Sequence, residues 1–257
     1  MKKYIVYFLA ITTICFFYFL NKKSEDDLKN CMESCVCVFN PDLCSSGSGV
    51  IVRSIEQDGA FCNVVISSAH IFENDYRLHK SNYIIKLPVI NKRKILFYQE
   101  KPCYIHSINA EQDLSILIFY TSEKIKCAKI DFDKKVDIDD EIMKMGYGLE
   151  DDLRIDYGNI TQLNAKLYQY NNLYRTSAFA IFGDSGGPVY LDFKLIAITQ
   201  GIKNYKGSPI YNISYICPIG SLKLWNQKED IDFCYENKEL PKIPKYLIEL
   251  KNWQYIK

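Results

Sequence analysis

Short apolar runs rich in β-branched residues recur along the central part of the chain, separated by polar and turn-forming residues. Seven such runs fall between residues 47 and 219: Val50–Val52, Val64–Ile66, Tyr83–Ile85, Leu114–Phe119, Ile142–Met145, Val189–Leu191 and Leu195–Thr199. Runs this short are typical of strands rather than of helices. The pattern therefore predicts an all-β sandwich or barrel.

The first 23 residues have a different pattern. An almost unbroken apolar run extends from Tyr4 to Leu20, and lysines flank it on both sides. Its length of about 17 residues lies between a signal-peptide core and a full bilayer span. No small-x-small cleavage site follows, which favours an uncleaved, single-pass membrane anchor with the rest of the chain outside the cytoplasm. A cleaved signal peptide, and therefore secretion, is the alternative.

Nine of the ten cysteines follow this segment. So many cysteines favour an exported, oxidising compartment and disulfide bonds, and an odd number leaves one thiol free or bonded to another chain. Four of them lie within residues 31–44, in a spacing that matches no common zinc site, so a metal is the less favoured alternative. Residues 24–45 are accordingly expected to form a polar, cysteine-bearing connector.

The last residues, 226–257, are expected to form a tail with a helix. Apolar positions recur there at helical spacing: Tyr246, Leu247, Leu250, Trp253 and Ile256. An amphipathic helix is therefore predicted, which packs on the domain's own surface or, alternatively, binds a membrane or a partner. Since 32 basic residues nearly balance 31 acidic ones, no nucleic-acid partner is expected. No cofactor or metal is expected either, and the sequence does not indicate an oligomeric state.

The sharpest chemical signal is the sequence Gly-Asp-Ser-Gly-Gly-Pro at residues 183–188. A nucleophilic serine must be exposed on a tight bend, and the oxyanion that its attack creates needs backbone N–H groups within hydrogen-bond reach. Glycine permits that geometry because it has no Cβ atom. The motif predicts Ser185 as a nucleophile and the N–H groups of Gly183 and Ser185 as an oxyanion hole.

A serine hydroxyl needs a base, and the chain has three histidines. His70 directly follows an apolar run, whereas His79 and His106 lie among charged or turn-like neighbours and are expected at the surface. A carboxylate should orient the base, and Asp113 directly precedes the run Leu114–Phe119. Taken alone, His70 or Asp113 would be interpreted as a structural residue at the end of a strand. Their order in the chain with Ser185 predicts a His-Asp-Ser catalytic triad.

The segments around these residues resemble the chymotrypsin-like (trypsin-like) serine proteases, most of all the Do-like (high-temperature-requirement) and glutamyl-endopeptidase branches. The resemblance lies in residues 47–52, 65–70, 113–117, 146–148, 157–161, 176–188 and 195–201. It implies a protease domain at 46–225 made of two antiparallel six-stranded β-barrels, the first at about 46–135 and the second at about 136–225. The triad would lie in the cleft between them.

The resemblance also implies which residues build the specificity pocket: Phe179, Ala180, Thr199, Gln200 and Gly201. Phe179 stands where trypsin-like members carry an acid, and Thr199 where glutamyl-specific relatives carry a histidine. Apolar or small substrate side chains are therefore expected. Asp184 resembles the aspartate that pairs with a newly cut amino terminus in zymogen-activated members, but no Ile-Val-Gly-Gly start lies upstream, so activation by cleavage is not expected.

A serine endopeptidase that cleaves protein or peptide substrates through an acyl-enzyme is the function that this resemblance implies. A catalytically silent, protease-like binding protein is the alternative. That alternative would hold if Phe182 blocked the cleft or if the Gly183 peptide turned its N–H group away from it. An esterase with the same triad is a third possibility, because acyl transfer is common to both reactions.

Overall fold

The computed structural model of the chain describes residues 24–42, 44–57, 59–72, 83–150 and 152–226. A helix, α1 (residues 24–34), leads into a first group of six strands. These are β1 (Cys35–Asn40), β2 (Ser45–Gln57), β3 (Ala60–Ser67), β4 (Tyr83–Asn91), β5 (Lys94–Asn109) and β6 (Leu114–Thr121). They close into an antiparallel barrel in the order β1-β2-β3-β6-β5-β4.

A second group of six strands repeats this arrangement. These are β7 (Glu141–Gly146), β8 (Arg154–Leu167), β9 (Tyr170–Thr176), β10 (Pro188–Leu191), β11 (Lys194–Tyr205) and β12 (Ser208–Pro218), followed by a short helix α2 (Ser221–Asn226). They close in the order β7-β8-β9-β12-β11-β10, which matches the first barrel strand for strand. The all-β class expected from the sequence is therefore confirmed.

Successive side chains of a strand enter two different cores, one inside a barrel and one shared by both barrels. On β1, Val36 and Val38 point into the first barrel, where they belong to the same core as Ile51 of β2 and Val65 of β3. The intervening Cys35 and Cys37 point the other way, into a core shared by both barrels. Successive side chains of a strand face opposite sides, so one short apolar strand serves both cores.

All seven apolar runs identified in the sequence lie within strands, namely β2, β3, β4, β6, β7, β10 and β11. The other strands carry weaker signals because much of their length faces solvent. The first half of β5 and most of β8 alternate between exposed and half-buried positions. Their polar faces interrupt the apolar pattern on which a strand is recognised from sequence.

The structure corrects the expected connector at residues 24–45. Residues 24–34 are helical, and β1 is an integral strand that pairs with both β2 and β4 and so closes the first barrel. Helix α1 is held against the second barrel by a hydrogen bond of 3.0 Å between the hydroxyls of Ser34 and Tyr190. The first barrel therefore begins at Cys35, upstream of the boundary that the sequence indicated.

The cysteines also depart from expectation, because the structure forms no disulfide among the residues it describes. Strand positions give a physical reason for Cys62 and Cys103. They lie on opposite sides of β6, opposite Tyr120 and Phe119 respectively. Two strand spacings separate them by about 10 Å, whereas a disulfide needs Cα atoms about 4.4–6.8 Å apart. Most of these thiols serve instead as small apolar side chains of the core.

Burial should make these thiols unreactive. It raises the pKa of Cys31 and Cys217 to about 12 and that of Cys127 to about 11. Because the thiolate is the nucleophile, we expect all three to react with iodoacetamide at neutral pH at least about 100-fold more slowly than exposed Cys44. Peptide mass spectrometry of native protein measures these rates. All three should react in denaturant without reductant, and a thiol that stays blocked until reductant is added would instead reveal a disulfide.

No helix among the described residues is long and apolar enough to cross a membrane. The apolar segment at 1–23 and the amphipathic helix expected within 244–257 lie outside the described residues, as do His79 and Cys234. The membrane anchor and the terminal helix therefore stay predictions from the sequence.

Candidate active site

His70 and Asp113 are brought together by two adjacent strands. Strands β3 and β6 pair up to Ser67 opposite Ser115, and His70 follows the end of β3 while Asp113 precedes the start of β6. The two residues are 43 positions apart in the chain. The turn holding His70 is fixed by the Ala69 N–H group, which donates to the Asp113 carbonyl at 3.1 Å. The register between β3 and β6 thus places His70 next to Asp113.

The Asp113 carboxylate holds His70 through two hydrogen bonds, one to the imidazole ring and one to the backbone. Its Oδ2 lies 2.7 Å from Nδ1 of His70, and its Oδ1 accepts the backbone N–H of His70 at 2.8 Å. Asp113 has a φ of 54° and is buried, while the His70 side chain is 31% exposed. When Nδ1 donates to the carboxylate, Nε2 is the ring nitrogen that carries the lone pair and can take up a proton.

Ser185 lies in the same cleft, on the turn that precedes β10. Its hydroxyl donates to the backbone carbonyl of Gln200 at 3.2 Å. His70, Asp113 and Ser185 all line one cavity of about 410 Å³. The three residues expected to form a triad, drawn from both barrels, are therefore gathered around one space.

Two N–H groups of this loop, those of Gly183 and Ser185, point away from hydrogen-bonded carbonyl groups. The Phe182 carbonyl accepts the Leu149 N–H at 2.7 Å, and the Asp184 carbonyl accepts the Gly187 N–H at 3.0 Å. In a trans peptide the C=O and N–H bonds point in opposite directions, so these bonds direct the N–H groups of Gly183 and Ser185 to the other side. Neither N–H group donates a hydrogen bond within the described part of the chain.

Ser48 of β2 holds this loop from the first barrel, and the sequence alone did not reveal it as a site residue. Its hydroxyl donates to the Gly183 carbonyl at 2.8 Å and accepts the Tyr147 N–H at 2.8 Å. Its backbone N–H donates to the Ser185 carbonyl at 2.7 Å. Both ends of the segment 183–185 are therefore tied to the neighbouring barrel.

Gly186 shows how closely the two barrels approach at this point. Its φ is +86°, in the region that favours glycine. A Cβ atom there would collide with the Ser48 carbonyl oxygen and the Ser67 hydroxyl. The glycine following the serine is therefore required by packing between the barrels as well as by the turn.

Two more hydrogen bonds join the barrels beside the triad. The Gln200 side-chain amide donates to the Gln112 carbonyl at 2.6 Å, next to Asp113, and the Ser68 hydroxyl donates to the Thr199 carbonyl at 2.9 Å. They fix the position of β11 relative to the loops that carry His70 and Asp113. Gln112 had no distinguishing signal in the sequence.

The expected pocket residues divide into two groups. Gln200 and Gly201 line the cavity, whereas Ala180 and Thr199 are buried in the protein and Phe179 packs against Tyr211 with ring centroids 5.7 Å apart. The cavity is instead lined by side chains of the β8–β9 turn, the serine loop and β11, among them Leu167, Tyr168, Tyr170, Ile181, Phe182 and Ile202. Most of these are apolar or aromatic, and Phe182, at 62% exposed, lies at the rim.

Comparison with known proteins agrees with this architecture. The sequence profile of the trypsin-like peptidase domain matches residues 47–198, more than half of the chain. Among 534 similar chains of known structure is a serine endoprotease from Yersinia pestis, with 17% sequence identity and a TM-score of 0.58 over 79% of this chain. This chain spans 64% of the length of that one. No match is found among curated protein sequences.

Proposed function

The chain belongs to the trypsin-like peptidase domain family, and on that premise we propose that it is a serine endopeptidase acting on protein or peptide substrates. One observation carries the proposal. A histidine held by a buried aspartate shares a cavity with a serine, and the N–H groups of Gly183 and Ser185 donate no hydrogen bond within the described part of the chain. A base, a nucleophile and an oxyanion site are what acyl transfer requires.

The proposed reaction begins with a rotation of the Ser185 hydroxyl from the Gln200 carbonyl to Nε2 of His70. His70 takes the proton as Ser185 Oγ attacks the peptide carbonyl, and Asp113 stabilises the imidazolium that forms. The N–H groups of Gly183 and Ser185 would bind the oxyanion. His70 then returns the proton to the leaving amine, and water, activated by the same histidine, releases the acyl group.

Two features support turnover over a silent binding protein. Phe182 lies at the cavity rim, and the cavity still contains both His70 and Ser185. The Phe182 carbonyl is held by Leu149, which opposes a turned Gly183 peptide. A peptide substrate is favoured over a simple ester because Gly201 and Ile202 of β11 line the cleft, where an extended chain can lie alongside the strand.

The cavity favours uncharged, apolar substrate side chains. Apart from the triad, its lining carries no formally charged side chain in the described residues. An ionised side chain bound there would lose hydration without gaining a partner. We therefore expect peptides with Leu or Phe before the scissile bond to be cleaved with kcat/KM at least about 100-fold higher than the same peptides with Asp or Lys there.

Incubation with unfolded casein, followed by mass spectrometry of the products, tests both the activity and this preference. The matched blank is the same protein treated with a sulfonyl fluoride, which blocks an active serine. Cuts that follow apolar residues and vanish in the blank are expected. Intact casein after incubation with folded protein would contradict the proposed activity, and cuts after Asp, Glu, Lys or Arg would contradict only the proposed preference.

A further inference from the structure

A lysine is buried behind the serine loop. Lys144 lies in β7 between Met143 and Met145, and its Nζ atom is 2.7 Å from Oδ2 of Asp184. Both side chains are only 1% exposed. The mechanism proposed above uses neither of them, although Asp184 directly precedes the nucleophile.

The serine loop is folded around the Asp184 carboxylate. Oδ2, the atom paired with Lys144, also accepts the Ile181 N–H at 3.0 Å. The Asp184 backbone N–H donates to the Ile181 carbonyl at 3.1 Å, and its own carbonyl accepts the Gly187 N–H. The anchored carboxylate therefore belongs to the residue that lies in the chain between Gly183 and Ser185, whose N–H groups form the proposed oxyanion hole.

Lys144 and Asp184 each depend on the other to remain charged in a buried position. Burial lowers the pKa of Lys144, and the charge and hydrogen bond of Asp184 oppose that shift. Removal of either partner leaves an unpaired charge in a place that water does not reach, and the remaining group then moves or becomes neutral. Movement of Asp184 would carry the adjacent Gly183 and Ser185 peptides with it.

We propose that Lys144 is a positioning residue that holds the oxyanion hole in its competent form through the Asp184 carboxylate. The cation is a side chain of the same barrel, so the pair forms without any cut in the chain. The expected effect of Lys144 on catalysis rests on the function proposed above. Its expected effect on the order of the serine loop does not depend on that function.

An exposed ion pair of equal length provides the matched control. Lys134 and Asp192 also lie 2.7 Å apart, but their side chains are 32% and 75% exposed. Lys134→Met removes a lysine that lies in the segment before β7 and, among the described residues, forms its salt bridge with Asp192 rather than with the serine loop. It should leave kcat within about 2-fold of the wild-type value, because surface ion pairs contribute little.

The kinetic test compares the full chain with its Lys144→Met variant, with kcat expressed per folded molecule from circular dichroism. We expect kcat to fall about 100-fold, as after loss of an oxyanion donor, with KM changed less than about 3-fold. A lysine that serves only stability would lower the folded fraction but leave this kcat unchanged. An unchanged kcat per folded molecule would therefore overturn the proposal.

Amide hydrogen exchange of the peptide covering residues 181–187 gives a readout that needs no turnover. Exchange there should be faster in Lys144→Met than in Lys134→Met or wild type, and equal rates would overturn the proposal. If the loop changes but the wild type cleaves nothing, the positioning by Lys144 stands and the proposed activity fails.

Should Lys144→Met fail to fold, the double variant Lys144→Met/Asp184→Asn, which carries no unpaired buried charge, replaces it in both measurements. It should fold and still show a kcat at least about 10-fold below wild type, because the amide introduced into the loop has no ammonium to hold it. Wild-type kcat and wild-type exchange in the double variant would show that the pair only balances charge.

Discussion

Replacement of Ser185 by alanine is expected to lower kcat by about a million-fold, the largest effect of any single substitution in this chain. The Oγ atom is the protein group that forms a covalent bond to the substrate in the proposed reaction, and without it no acyl-enzyme can form. Labelling by a fluorophosphonate probe and cleavage of casein should both disappear in Ser185→Ala. Quantitative product analysis after long incubation measures the residual rate.

The fold should survive this substitution, because the Ser185 hydroxyl makes one hydrogen bond, at 3.2 Å, to the Gln200 carbonyl. Thermal unfolding of Ser185→Ala should match that of the control Ser208→Ala, which alters an exposed serine at the start of β12. A Ser185→Ala protein that still cleaves casein and accepts the probe would exclude Ser185 as the nucleophile and point to a contaminating protease or another serine.

Replacement of Asp113 by asparagine is expected to lower kcat by about 10⁴-fold at neutral pH. An amide can still accept the His70 backbone N–H through Oδ1, but its NH₂ group would face Nδ1 of the ring. The imidazole would then carry its proton on Nε2, where it cannot accept the proton of Ser185. Steady-state kinetics with a Leu-containing peptide would measure the loss, with KM expected to change little.

The matched control for this variant is Asp192→Asn, which neutralises an exposed aspartate far from the cleft and should leave kcat unchanged. A loss of less than about 10-fold in folded Asp113→Asn would contradict a triad role for Asp113. Circular dichroism must accompany the kinetics, since Asp113 also holds the backbone of the His70 turn.

Much of the fold could be predicted from short-range pattern. The seven apolar runs became strands because alternation and β-branching are local properties that act before any tertiary contact forms. The Gly-Asp-Ser-Gly-Gly-Pro turn predicted Ser185, and His70 and Asp113 were identified by their places at strand ends. The structure brings all three to one cavity. β1 was missed because its cysteines favoured a cysteine-bearing connector, although the strand is almost wholly buried.

Some of the residues expected in the specificity pocket lie away from the cavity that contains the triad residues. Phe179, Ala180 and Thr199 came from the resemblance, but they do not line the cavity. Leu167 at the end of β8, Tyr168 in the turn and Tyr170 at the start of β9 line it instead. Expected disulfides did not form among the described cysteines. For Cys62 and Cys103 the reason is strand register, which cysteine counting does not consider.

By itself, the sequence determined the strands, the tight serine turn and the chain order of the triad, because each of these is encoded in residues that are neighbours along the chain. Only the tertiary structure decided what holds the site in place. Ser48 and Gly183 are 135 positions apart, Gln112 and Gln200 are 88 apart, and Lys144 and Asp184 are 40 apart. Lys144 was visible only as a lone charge in an apolar strand. Its partner became known when the barrel closed, since pairing between distant residues depends on register and packing rather than on local pattern.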